Sequence, residues 1–202
     1  EFEEGPFASF DGRVESVIHK FSVTESSAGT PSYKVSGKVP GWVVNSFSLD
    51  EHNGNLRVAT TSQDMTVLDG GEPSAGVYVL EDTGNEMDIA GEVDGLAPGE
   101  EVTAVRFEDD EGYVATFEQV DPLFAIDLSD PGAPTVRGEL HITGFSNYLH
   151  KLDDQYLLGI GRDLDEWGMN SQGVQVSVFD VSDLTNPTLA HKEVLSGTSY
   201  SA

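Results

Sequence analysis

The chain contains no cysteine, which excludes disulfides and thiol chemistry and leaves the compartment open. Basic residues are scarce: 10 Lys and Arg stand against 36 Asp and Glu, a formal net charge of −26 over 202 residues. A surface so poor in cations argues against nucleic acid and against anionic membranes as partners, because both require basic patches. No run of about 18 apolar residues occurs, so no segment has the length of a membrane-spanning helix. No stretch sustains i, i+3, i+4 spacing over three turns, which argues against helices. A Gly-x-Ser-x-Gly elbow and a phosphate-cradling glycine loop are both missing. None of the five histidines, His19, His52, His141, His150 and His191, stands in a close pair with metal-ligand spacing. No leader peptide is visible at the opening Glu1-Phe2-Glu3-Glu4.

What the chain does contain is a unit that recurs three times between Ser46 and Leu195. Its second strands read LRVATT (Leu56–Thr61), GYVATF (Gly112–Phe117) and YLLGIG (Tyr156–Gly161). Its third strands read GVYVLE (Gly76–Glu81), LFAIDL (Leu123–Leu128) and VSVFDV (Val176–Val181). Two copies continue into nearly the same turn, Leu128-Ser-Asp-Pro-Gly-Ala-Pro134 and Val181-Ser-Asp-Leu-Thr-Asn-Pro187. A repeat of about 40–50 residues with four strands predicts an all-β β-propeller. Three complete four-stranded antiparallel blades are expected at about 46–95, 102–144 and 146–195. Their inner strands are expected at Ser46–Asp50, Val102–Phe107 and Asn147–Lys151. A partial blade at about 12–39 precedes them, made of Gly12–Val23 and Tyr33–Val39. Residues 1–11 form an N-terminal arm, and 12–202 a single domain. Both ends read as cuts from a longer propeller.

The acids are spread along the chain rather than gathered in a tail. Such self-repulsion opposes the compact state in ordinary salt. In molar salt the Debye length falls to about 3 Å and the repulsion is screened. The balance therefore points to a salt-adapted source; the alternatives are an acidic secreted domain and one with a basic partner.

Val39-Pro-Gly-Trp-Val-Val-Asn-Ser-Phe-Ser-Leu-Asp-Glu51, Leu56–Thr61, Gly95-Leu-Ala-Pro-Gly-Glu100, Val120–Pro131 and Leu157–Asp163 carry a further likeness. Over most of Gly12–Ser201 the chain resembles secreted bacterial and archaeal proteins with a C-terminal β-propeller domain, distant relatives of WD-repeat propellers. The resemblance implies a propeller outside the cytoplasmic membrane, extracellular or at the cell surface. It implies no reaction and no site residues.

In such a fold the loops after second strands share one face with the connections between blades. That face is expected to gather Trp42, Asn45, Ser62, Glu118, Asp121, Arg162 and Trp167. A Glu118–Arg162 ion pair between adjacent blades is preferred over a ligand-facing pair. Trp42 and Trp167 are either exposed binding aromatics or plugs between blades. Asp163, Asp165 and Glu166 offer hard oxygens suited to Ca²⁺, but lack the glycine and distal glutamate of an EF-hand loop. A solvated acidic loop is the preferred reading, and no other cofactor is expected. His150 reads as a hydrogen-bonded strand histidine. Gly159 and Gly161 suit close packing within a strand. Asp127, Asp130, Asp180 and Asp183 cap turns through backbone N–H groups.

The function expected is a non-catalytic interaction or scaffold module whose loop face takes a protein or a surface polymer. The alternative is a hydrolase or lyase using Glu118, Asp121, Asp163 and Asp165, with Arg162 as electrophile. Blade faces without a neighbour also allow a homodimer. They are expected to expose Val14, Ile18 and Val35 at one end. At the other they expose whichever of Leu157, Ile160, Val176 and Val178 point outward.

Overall fold

Alternating β-branched, aromatic and small residues bounded by Asp, Asn, Gly and Pro produce strands throughout. A computed structural model describes residues 13–23, 29–66, 71–117, 121–165 and 170–195. Within them the strands are β1 (Glu15–Ser22), β2 (Ser32–Pro40), β3 (Leu49–His52), β4 (Asn55–Ser62), β5 (Ser74–Asp82) and β6 (Met87–Leu96). Then come β7 (Glu101–Glu108), β8 (Glu111–Phe117), β9 (Asp121–Asp127) and β10 (Thr135–Ile142). The last four are β11 (Phe145–Lys151), β12 (Tyr156–Leu164), β13 (Ser171–Asp180) and β14 (Thr188–Leu195). The expected arm at 1–11 lies outside the described residues.

Strands β3 to β6, β7 to β10 and β11 to β14 each form an antiparallel meander, with β3, β7 and β11 at one edge. The β1–β2 hairpin extends the first meander to six strands through one parallel bridge, Gly37 to Met87. The expected half unit is thus a real hairpin, but it is bonded to the sheet that follows it. Its strand β2 crosses from Met87 on β6 to the end of β4, where Trp42 and Thr61 exchange backbone hydrogen bonds of 2.8 and 3.0 Å. Glycine is required there: a Cβ on Gly41 would stand 2.1 Å from the Thr61 carbonyl oxygen, and its φ is +84°.

Period-2 alternation decides what each strand buries. On β4 and β5, Ala59, Val77 and Val79 face the second sheet, where Val105, Val114, Phe124 and Ile126 meet them. The alternate residues Val58, Tyr78 and Leu80 face the hairpin, where Val35 and Val39 cover them. On β8 and β9, Tyr113, Ala115, Leu123 and Ala125 face the third sheet, against Leu149, Leu157 and Phe179.

This arrangement corrects the expected exposure of Ile18 and Val35 at one end face and tells which residues point outward at the other. Val35 is buried and Ile18 packs beside it, because both sit on the hairpin face that covers Tyr78 and Leu80. The apolar residues left exposed at this end are Val14, as expected, with Val17, Phe21, Val23 and Tyr33, and Phe21 and Tyr33 are in edge contact at 5.7 Å. At the other end Leu157 is fully buried against the second sheet, whereas Ile160 remains 37% exposed.

One inner strand starts later than expected. Ser46–Ser48 form a single 3-10 turn, and β3 begins at Leu49. The Asn45 side chain accepts the Phe47 N–H at 2.9 Å, satisfying one of the turn's free donors.

The repeated Asp-x-x-x-Pro turns join the sheets. Each docks on a glycine in the outer strand of the preceding sheet. A Cβ on Gly91 of β6 would lie 2.4 Å from the Pro131 carbonyl oxygen. One on Gly138 of β10 would lie 2.4 Å from that of Leu184. Within each turn an aspartate accepts the second following N–H: Asp130 from Gly132 at 3.0 Å, and Asp183 from Thr185 at 2.9 Å. Asp127 and Asp180 do the same for Ser129 and Ser182. The capping roles expected of these four residues are therefore met.

Buried cations lock the same ends of the strands. Arg57 on β4, 4% exposed, donates to Asp50 and to the Asp109 carbonyl in the β7–β8 turn. Its guanidinium lies 5.3 Å from the Phe107 ring centre. Lys151 on β11 reaches Glu111 on β8, which also accepts the Tyr113 hydroxyl at 2.8 Å.

Candidate functional site

The strand directions place the ends of β4, β6, β8 and β12 on one face, together with the starts of β5, β9 and β13. This is the loop face expected from the repeats. Two aromatic contacts cross between sheets near it. Phe117 at the end of β8 meets Phe145 at the start of β11, with ring centres 4.5 Å apart. Phe47 in the 3-10 turn meets Tyr148 of β11 edge-on at 5.4 Å. Tyr148 in turn stacks on His150 at 6.2 Å. His150 is thus a strand histidine with a ring partner and a weak 3.4 Å contact to the Tyr148 hydroxyl.

The expected site residues divide into three groups. Trp42 is half-buried and held by the Thr61 bridge, and the Asn45 side-chain oxygen caps the 3-10 turn. Arg162 lies exposed on β12, and its backbone pairs with Phe145. Glu118, Glu166 and Trp167 lie outside the described residues, so the Glu118–Arg162 pair does too. Asp121 opens β9 opposite Ile142, and its side chain is likewise outside them.

The carboxylates weighed for calcium are engaged separately. Asp163 takes the Lys192 ammonium at 2.5 Å, and that same ammonium donates to the Thr143 carbonyl at 3.1 Å. Asp165 accepts the Asn170 side-chain amide at 2.5 Å. Among the described residues no three His, Asp or Glu side chains converge as a metal cage would require. The glycines of β12 act within their own sheet. A Cβ on Gly161 would collide with the Phe145 carbonyl oxygen, and one on Gly159 with the Phe179 ring and the Ser146 hydroxyl.

Motif reading missed a cavity of about 310 Å³ where β2 crosses the loop-face end of the first sheet. Pro40 and Val14 contribute apolar wall, and Arg13, Ser62, Gln63, Asp64, Tyr78 and Asp94 contribute polar groups. Tyr78 is 1% exposed, yet its hydroxyl makes no hydrogen bond among the described residues. The hydroxyl lies over Gly76, where a Cβ would approach it to 2.8 Å. Burial first, then the charges of Asp94 and Glu92, push the Tyr78 pKa up to about 12, so the phenol keeps its proton.

Asp64 is the ordered acid of the cavity. It accepts the Thr66 hydroxyl and, at 2.9 Å, the Thr66 N–H, and these bonds hold its pKa below the ordinary carboxylate value. Arg13 bridges to it through backbone and side chain, the latter at 3.9 Å. Asp94 on β6 makes no hydrogen bond among the described residues. The sequence held two signals of this place. Ser62 falls at a second-strand exit, and Gly76, two residues before Tyr78, leaves a strand position without a side chain.

Meanders packed face to face, joined by turns seated on the preceding sheet, define a repeat-built β scaffold with its loops on one face. The family described as "Beta propeller domain" matches residues 9–202, and the chain belongs to that family. It is 41% identical over 178 residues to an uncharacterized protein of Archaeoglobus fulgidus, which covers 88% of this chain and 25% of the relative. It is 38% identical over 180 residues to an uncharacterized protein of Methanocaldococcus jannaschii, covering 88% and 27%. The chain thus spans about a quarter of the length of these relatives.

Proposed function

We propose that the chain is a non-catalytic interaction module that presents its loop face to a ligand outside the cytoplasmic membrane. It is read as three propeller blades, β3–β6, β7–β10 and β11–β14, preceded by the partial blade β1–β2. The observation that carries the reading is the loop-face cavity, where the hydroxyl of the buried Tyr78 and the exposed Asp94 carboxylate make no hydrogen bond among the described residues. A concave wall with a few polar groups free to bond outward is a place for an external partner. Strands β2, β4, β5 and β6 supply Pro40, Ser62, Tyr78 and Asp94 to the cavity wall. A second copy resting on an uncovered end face is compatible with this role, and light scattering in molar salt reads it.

Retention on isolated archaeal cell envelopes in molar KCl tests the module. The chain should be retained, and a charge reversal on the loop face, Arg162→Glu, should reduce retention. The reversal Arg137→Glu, on the outer strand β10, should not. Equal loss in both variants would end the loop-face assignment. Salt adaptation is read separately: the melting temperature should climb steeply from low to molar KCl, as the charge of −26 demands. A flat response would remove it.

A further inference from the structure

We infer that the loop-face cavity beside Tyr78 binds a neutral polyhydroxylated ligand, one monosaccharide unit of a surface glycan. The inference deepens the interaction reading, and rests on it, by giving the loop face a ligand class.

The groups lining the cavity demand both donors and acceptors. The Tyr78 hydroxyl is without a partner and keeps its proton up to high pH, so it offers a donor. The Asp94 carboxylate offers only acceptors. Asp64, already oriented by Thr66, adds a second carboxylate. The Gln63 amide nitrogen is spent on the Gly71 carbonyl at 3.0 Å, which turns its oxygen into the remaining acceptor.

A ligand hydroxyl both donates and accepts, so a ring bearing adjacent hydroxyls can meet all of these groups at once. An organic cation would serve the carboxylates and leave the phenol proton unmet. An anion would face two carboxylates with one guanidinium nearby. A bound divalent ion needs six or more oxygens, and no three acids converge among the described residues.

Size and shape agree. The volume of about 310 Å³ falls at the small end of ligand pockets, which suits one ring rather than an extended chain. Val14 and Pro40 supply apolar wall for the C–H face of a sugar ring. The vacancy above Gly76 is what gives the Tyr78 hydroxyl its place: any larger residue there would press on it.

Saturation-transfer NMR on the full 202-residue chain tests the site with glucose, galactose, mannose and N-acetylglucosamine. Ligand is supplied at roughly 10 mM, enough to fill a weak millimolar site. At least one sugar should receive transfer. Its affinity should fall roughly five- to ten-fold in Tyr78→Phe, the loss of one hydrogen bond. Tyr78→Phe deletes only a hydroxyl that holds no part of the fold, and Asp94→Asn, on an exposed residue, should weaken the same sugar. Transfer unchanged in both variants would overturn the site. So would transfer to choline with none to any sugar, which would mark a cation pocket. Silence from all four sugars with envelope retention intact overturns the saccharide site alone; the interaction module then stands. Loss of retention with sugar transfer intact supports the site and removes the envelope role.

Discussion

The second and third sheets are built from the same repeat, yet they bury their strands differently. On β8 and β9 every central residue is buried, since the first sheet covers one face and the third the other. On β12 burial alternates: Leu157, Gly159 and Gly161 are buried, Ile160 and Arg162 are exposed. The outer strand β14 is exposed along most of its length. The sequences record the contrast. GYVATF and LFAIDL are apolar on both faces, whereas β13 interleaves the buried Gln175 and Ser177 with Val176 and Val178. The middle sheet therefore carries the stability of the described fold, and the third sheet contributes from one side.

Truncations should expose this contrast most strongly. Phe124→Ala in the middle sheet should cost about 3–5 kcal/mol, by lost burial plus the cavity left behind. Ile160→Ala on the open face of the third sheet should cost less than about 1 kcal/mol. Urea unfolding of both variants measures it. An equal cost would mean that the open face is covered in solution.

The glycine seats give the next largest effect. Gly138→Ala drives a Cβ against the Leu184 carbonyl, where only backbone movement relieves the clash. A loss of about 1–3 kcal/mol is expected. The register puts His191 on β14 where Gly138 stands on β10, since Val178 pairs with His191 as Ala125 pairs with Gly138. His191 is exposed, so His191→Ala should stay within about 0.5 kcal/mol. If both changes prove neutral in thermal unfolding, the turns do not join the sheets as described.

The repeat, the strands and the turn-capping aspartates were legible in the sequence because each depends on local pattern. Period-2 alternation marks a strand, and Asp before Ser or Gly marks a turn. The side of the hairpin was not legible. Val17 and Phe21 look like a core stripe, yet they face out, because the close approach of Gly37 and Gly41 turns Ile18 and Val35 inward. The cavity was hidden for a similar reason. Arg13, Gln63, Tyr78 and Asp94 come from four separate stretches that meet only when β2 crosses the sheet end. Likewise, the capping bond of Asn45 to the Phe47 N–H was not legible, because the sequence reads Ser46–Asp50 as strand rather than turn.

The ion pairs sharpen the contrast at lower cost. Arg57→Met should cost about 1–2 kcal/mol, because Asp50 loses its partner while staying partly in water, and the Asp109 carbonyl loses its donor. Lys192→Met at the rim of the third sheet should cost a similar amount, about 1–2 kcal/mol, because its pair with Asp163 is also largely buried, with side chains 21% and 16% exposed. Chemical denaturation of both in the same salt checks this, and a far smaller cost at Lys192 would show that the rim of the third sheet opens to water.

The smallest effect concerns the two matching turns, and pH reads it. Asp127 bonds the Ser129 hydroxyl and N–H, and these bonds hold its carboxyl below the ordinary value. Asp180 is held low first by Ser182, and Gln155 adds a further donor. In both, the folded pKa lies below the unfolded one, near 3.9. The stability each contributes is therefore complete above that unfolded value and is lost as pH falls through the depressed folded value. Replacing either by Asn removes the titration but keeps an oxygen that can accept the same N–H. Between neutral pH and about pH 5 each variant should follow the parent in parallel. Below about pH 4 its melting temperature should fall less steeply than the parent's. Since the two turns are built alike, Asp127→Asn and Asp180→Asn should flatten the acid limb by similar amounts, although one borders the covered sheet and the other the open one. A clear difference that persists after Gln155→Ala and Arg137→Ala remove the partners unique to each turn would show that burial of the sheet, and not the local bonds, governs these carboxylates.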